Sequence, residues 1–203
     1  QDNIFDHTRA IVGGAGTAWD ASSMEKARID DPDNSEPGYF TIKGARYIRY
    51  HDNDGDDTND EANYALMTSH YLKAGDSLKK NTFTRDGYVF TGWKDADNNE
   101  YTDEQVMTGL TESKTPLELY AQWKEGTAIL TQGWNNTAAL KRINADATSF
   151  EHWTGETPDF GAIDGEENIA LSNSNFPVYA WTEDNKIYWW SEATTIYMNA
   201  SST

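Results

Sequence analysis

The sequence predicts a mainly β chain of the α+β class, built from two or three small modules in series. Short segments alternate apolar and polar residues, as in Arg46-Tyr47-Ile48-Arg49-Tyr50, which is the period of a strand. Thr, Tyr, Asn, Asp and Gly are abundant and helix formers do not dominate, a balance that suits strands and turns. Aromatic residues make up 13% of the chain, with 8 Trp among them, so small cores have large side chains to fill them.

Residues 1–44 form an N-terminal segment or small domain with the weakest pattern. Ile4-Phe5 and Ala10-Ile11-Val12 are short apolar runs, and Gly13-Gly14-Ala15-Gly16 follows them. That glycine run lacks the third glycine of a dinucleotide fingerprint and has no βαβ unit around it, so it reads as a turn. Asp30 to Gly38 is a turn or loop cluster, and Tyr39 to Ile42 reads as a short strand.

Residues 45–124 are better patterned. Arg46 to Tyr50 predicts a strand with Ile48 and Tyr50 on one face. The acidic run from Asp52 to Glu61 reads as a solvated loop, and Tyr64 to Leu72 as a second strand. Tyr88 to Trp93 is a third strand, and Asp103 to Leu110 reads as one or two helical turns capped by Thr102 or Asp103. In the last strand Leu117, Leu119, Ala121 and Trp123 share a face.

Residues 125–203 open with a short helix, Thr137 to Asn144, that puts Ala139, Leu140 and Ile143 on one side. A loop-rich stretch leads to a β-meander. Phe176 to Thr182 and Lys186 to Ser191 flank a tight turn at Asp184-Asn185, residue types that tolerate positive φ. Thr195 to Asn199 supplies its third strand.

Composition narrows the function classes. A net charge of -18 repels nucleic acid and anionic lipid, which bind basic patches. The absence of cysteine excludes disulfides, thiolate nucleophiles and zinc–thiolate centres. No apolar run approaches the roughly 20 residues that span a bilayer, so direct membrane insertion is not expected. With no initiator Met, no signal peptide and no sorting motif, the chain reads as an excised or mature portion of something longer.

The string Phe83-Thr84-Arg85-Asp86-Gly87-Tyr88-Val89-Phe90-Thr91-Gly92-Trp93 resembles the core signature of the Listeria–Bacteroides repeat, the internalin-type B repeat. That family closes on Leu-Tyr-Ala-x-Trp, and Leu119 to Trp123 matches this ending. The resemblance implies a small β-grasp-like module over residues 45–124, arrayed along secreted surface proteins. A long acidic insertion after Tyr50 and a lengthened stretch between Trp93 and Leu117 depart from the family pattern. Residues 125–203 are similar to the region beside the leucine-rich repeats of BspA-like bacterial surface proteins, carried by Phe176 to Trp181 and Ile187 to Ala200. Together the two resemblances imply an extracellular, adhesin-like chain. Its partners would be host or bacterial surface proteins, glycans, or neighbouring domains of the same chain.

Candidate sites follow from residue chemistry. In a calcium loop with Gly55 at the sharp turn, Asp52, Asp54 and Glu61 fall on oxygen-ligand positions, while the first position falls on Tyr50, which cannot serve. A solvated loop is the default there, and calcium is the sole cofactor considered. Asp95 to Glu100 is a weaker echo, with a plain hairpin loop as its default. Aromatic side chains that stack on sugar rings or partner surfaces concentrate late, at Trp153, Trp181, Tyr188, Trp189 and Trp190. Adjacent Trp189 and Trp190 point to opposite faces of a strand, so a sheet with one buried face leaves one of them for a neighbour or ligand. No Gly-x-Ser-x-Gly elbow and no paired His ligands occur, and the chain reads as non-enzymatic, with a structural spacer and a carbohydrate-binding module as alternatives.

Overall fold

The computed structural model describes residues 12–18, 27–55, 67–131 and 133–199. It is mainly β with one short helix, and it divides into two compact units. The first draws on residues 12–84 and 90–123, the second on 85–89 and 124–199. The expectations for Ile4-Phe5, Ala10-Ile11 and the start of the Tyr64–Leu72 strand lie outside the described residues.

The first sheet contains β1 (Ala45–His51), β2 (His70–Lys73), β3 (Tyr88–Lys94), β4 (Glu100–Tyr101) and β5 (Leu117–Glu125), in the order β2-β1-β5-β3-β4. β1 runs antiparallel to β2 and parallel to β5, and β3 and β4 form a hairpin. As the alternation predicts, Ile48 and Tyr50 face a core that also takes Leu117, Leu119 and Ala121. Trp93 is 1% exposed and lies 5.1 Å from Tyr50 and 4.9 Å from Phe90, ring to ring. Strict alternation would put Phe90 and Trp93 on opposite faces. Gly92, at φ 140°, breaks the phase so that both rings reach one core, and a Cβ there would meet the Tyr101 carbonyl oxygen at 2.7 Å.

The opposite face of this sheet is covered by residues 27–44. Tyr47, fully buried, donates its hydroxyl to the Asp31 carboxylate, and the Tyr71 hydroxyl donates to the Asp30 carbonyl at 2.8 Å. Arg49 bridges Asp33 at 2.6 Å and Glu118 at 3.1 Å. The turn cluster holds a 3-10 turn, Pro32–Asn34, and the glycine run is a turn closed from Gly16 N to Gly13 O at 3.0 Å.

Two local expectations are corrected in this unit. Tyr39 to Ile42 is no strand: Phe40 makes a single bridge to Ile29, and the chain then turns into β1 through Gly44 at φ 73°. Asp103 to Leu110 is no helix. The amide of Met107 donates to Asp76 O and that of Leu78 to Gln105 O, so the segment spends its backbone groups on a neighbouring strand-like stretch. Glu104 at φ 54° interrupts any helical run.

The second unit carries β6 (Thr127–Ile129), α1 (Gly133–Ile143), β7 (Phe150–His152), β8 (Glu167–Asn168), β9 (Tyr179–Glu183), β10 (Lys186–Trp190) and β11 (Thr195–Tyr197). Its larger sheet has the order β7-β10-β9-β8, and β11 pairs with β6 in a second, two-stranded sheet. α1 starts earlier than the periodicity suggests, and it presents Ala139, Leu140 and Ile143 to a core of Ala128, Ile169, Val178, Ala180 and Ile187. Lys141 and Arg142 in its last turn suit the negative end of the helix dipole. The turn between β9 and β10 has Asp184 at φ 48° and Asn185 at φ 60°, the mirror-image turn that matches strand twist.

The third strand of the predicted meander goes elsewhere. β7 takes the free edge of β10 in parallel, and β11 leaves to pair in parallel with β6. The departure is anchored where Ser191 Oγ donates to Pro177 O at 2.6 Å and Thr194 N donates to Gly126 O at 3.1 Å.

Candidate functional site

The site grows out of the β9–β10 pairing. Tyr188 lies opposite Trp181, and Trp190 opposite Tyr179. Strand alternation therefore sends these four rings to one face, while Ala180, Ile187 and Trp189 turn to the core. Trp189 and Trp190 do point to opposite faces. Trp189 is half-buried against the core and lies 4.3 Å from the His152 ring.

Two further rings complete the aromatic face. Trp153 follows β7, its backbone amide donating to Trp189 O at 2.9 Å, and its indole N–H donates to Glu156 O at 2.8 Å. It stands edge-on to Trp181 at 5.7 Å and to Tyr188 at 5.4 Å. Phe160, carried by the loop that follows, sits 4.2 Å from Tyr179 and 5.6 Å from Trp190. Both faces of the sheet are thus occupied, by the core on one side and by this loop on the other. Trp181 is only 4% exposed, whereas Tyr188 and Trp190 are half-buried.

Open space remains at both ends of the aromatic cluster. A cleft of about 530 Å³ is bounded by Trp153, Trp181, Pro158, Asp159, Asp164 and Glu183. At the other end a cavity of about 280 Å³ is bounded by Phe160, Pro177, Tyr179, Trp190 and Glu192. Trp190 also borders a third space of about 340 Å³ with Asp86, Thr157 and Glu192. Rings give these spaces flat apolar walls, and carboxylates give them hydrogen-bond acceptors. On the same face Lys186 is held by Glu151 at 3.1 Å. Hydrogen bonds from Ser149 and Lys186 hold the Glu151 carboxyl below the usual range, and Glu151 raises the Lys186 ammonium in return.

The sequence singles out Trp153, Trp181, Tyr188, Trp189 and Trp190; the fold brings Trp153, Trp181, Tyr188 and Trp190 together and turns Trp189 to the core. The sequence does not point to Tyr179 or Phe160. Tyr179 carries a legible signal, since it is two residues before Trp181 on the same strand face. Phe160 carries none, because a ring in a Gly/Pro-containing loop has no periodicity to reveal its direction.

The acidic run behaves differently at its two ends. Asp52 is 5% exposed, and its backbone carbonyl accepts the Trp123 indole N–H at 2.6 Å. Asn53, at φ 46°, donates its side-chain amide to Ala121 O at 2.8 Å, fixing the start of the loop against β5. Asp54 is half-buried, and Glu61 lies outside the described residues. Among the described residues no three His, Asp or Glu side chains cluster in a way that could hold a metal ion. The Asp95 to Glu100 stretch is a hairpin turn in which the Asp95 carboxylate accepts from the amides of Asp97 and Asn99 and from the Tyr101 hydroxyl. Among the described residues no helix is long and apolar enough to cross a membrane.

No protein-family model, curated protein or solved structure matches the chain.

Proposed function

We propose that this chain is a non-enzymatic, adhesin-like segment of a bacterial cell-surface protein, and that it attaches through the aromatic face of its second unit. The observation that carries the reading is the ring cluster Trp153, Phe160, Tyr179, Trp181, Tyr188 and Trp190, with open clefts at both ends bordered by carboxylates. Flat apolar walls with a few directed polar groups are the general design of recognition sites. Half-buried Trp and Tyr side chains combine large contact area with a polar handle.

The Listeria–Bacteroides-type assignment of the first unit draws support from its packing. The Phe90 and Trp123 rings, from the two matching motifs, meet at 5.7 Å across adjacent strands. The central parallel pair β1/β5, flanked by antiparallel neighbours, agrees with a β-grasp-like module. In this reading the first unit presents the second away from the cell wall.

A purely structural spacer is the second reading, favoured by the near-complete burial of Trp181. The two separate in a binding screen of the chain against surface glycans, mucins and matrix proteins. The attachment reading expects a specific hit that Trp190→Ala weakens about ten-fold or more with the circular dichroism spectrum unchanged. Absence of any hit, or a hit indifferent to Trp190→Ala and Trp153→Ala, supports the spacer instead.

A further inference from the structure

We infer that the cleft between Trp153 and Trp181 accepts a cationic side chain, an arginine or lysine presented by a partner protein. The inference rests on the attachment reading above and names its ligand chemistry.

The cleft's walls and rim both point to positive charge. Trp153 and Trp181 both line the cleft, their rings set at 64° to one another. A guanidinium or ammonium group is attracted to the negative face of an indole, and two indoles border this space. Asp159, Asp164 and Glu183 border the same space, and no lysine or arginine lines it. The basic residues of this unit nearest in sequence to these strands are engaged elsewhere, Lys186 with Glu151 and Arg142 with Glu167.

Alternative ligands fit less well. An anionic glycan is repelled by the three carboxylates. A neutral sugar can stack on the indole and donate hydroxyls to the rim, but it displaces water from carboxylates without compensating their charge. A cationic side chain supplies the stacking partner, the donors and the countercharge together. The volume of about 530 Å³ holds such a side chain with its flanking backbone. The net charge of -18 speeds encounter with a basic partner and opposes an acidic one.

The test titrates the whole chain with Nα-acetyl-arginine methylamide, followed by tryptophan fluorescence. The isosteric but uncharged citrulline analogue and lactose serve as comparison probes. The arginine probe is expected to saturate the signal and to bind more tightly than the citrulline probe. Asp159→Asn and Glu183→Gln, shape-conserving changes at exposed positions, should each weaken it about three- to five-fold. Asp97→Asn, in the first unit, should leave it unchanged. Equal binding of the arginine and citrulline probes, no binding of the arginine probe, or insensitivity to both carboxamide variants overturns the inference. Lactose binding that Trp153→Ala abolishes also overturns it while leaving the attachment reading standing. Failure of the attachment reading itself shows separately, as the absence of any hit in the surface-component screen.

Discussion

Among the described residues ahead of β1, Asp30 ties the glycine run to Gly38 through its side chain. It is fully buried, and its carboxylate accepts the amides of Ala15, Thr17 and Gly38 at 2.9, 3.0 and 3.0 Å, as well as the Thr17 hydroxyl. The glycine run is explained by this group: a Cβ on Gly13 would stand 2.1 Å from Asp30 Oδ2. The glycine run thus closes around a carboxylate supplied by the chain itself. Asp30→Ala strands buried donors and should cost about 3 kcal/mol of unfolding free energy, read from urea denaturation; a loss under about 1 kcal/mol contradicts the role. His70 makes a second residue-scale prediction. Burial, then the neighbouring Lys79 charge, pushes it from 6.5 down to about 4, against a smaller opposing effect of Asp76. Its ring stacks on Tyr50 at 5.8 Å. Between these two pKa values the unfolded chain binds a proton that the folded chain refuses. The associated stability is present above pH 6.5 and is lost as pH falls toward 4. His70→Gln should flatten that part of the profile, so the urea midpoint should fall less between pH 7 and pH 5 in the variant than in the wild type; equal falls would remove His70 from the account.

Elements with their own periodicity were legible, and elements defined by partners were not. β1, β5 and the β9–β10 hairpin follow from alternation and turn chemistry, because a strand with one core-facing row shows that row in its sequence. β3 is instead marked by its aromatic run and breaks the alternation at Gly92. The hairpin turn is the clearest case, with Asp184 and Asn185 both at positive φ. Asp184→Val puts a β-branched residue there and should cost about 1–2 kcal/mol in thermal or urea unfolding; a neutral result contradicts the turn assignment. Tyr39 to Ile42 and Asp103 to Leu110 failed for a shared reason. Each has residues compatible with regular structure, but its backbone groups are taken by isolated bridges and turns that only the fold supplies. The departure of β11 from the meander was equally hidden. Which edge of β10 is free depends on β7, a three-residue strand far away in sequence. On the same grounds the aromatic site was legible in part. The strand residues announce a common face by their spacing, whereas the loop that brings Phe160 over them announces nothing.

At the scale of the whole molecule the chain is two compact units that place their rings differently. Among the described residues, the first gathers Trp93, Tyr50, Phe83 and Phe90 in one core and packs Tyr47 and Tyr71 on the opposite face of its sheet. The second divides its rings between a core and an outer face, and that face borders open, acidic clefts. This difference is the basis for proposing that the second unit attaches and the first presents it. Because the chain has 8 Trp, this proposal is open to direct inspection by ¹⁵N-indole NMR. The most direct measurement records the indole N–H resonances while titrating the surface component that binds in the screen, with peaks assigned by single Trp→Phe substitutions. The account predicts that Trp153, Trp181 and Trp190 shift together and saturate, while Trp93 and Trp123 stay fixed. Shifts confined to Trp93 and Trp123, or bound complex with all indoles unmoved, would contradict it.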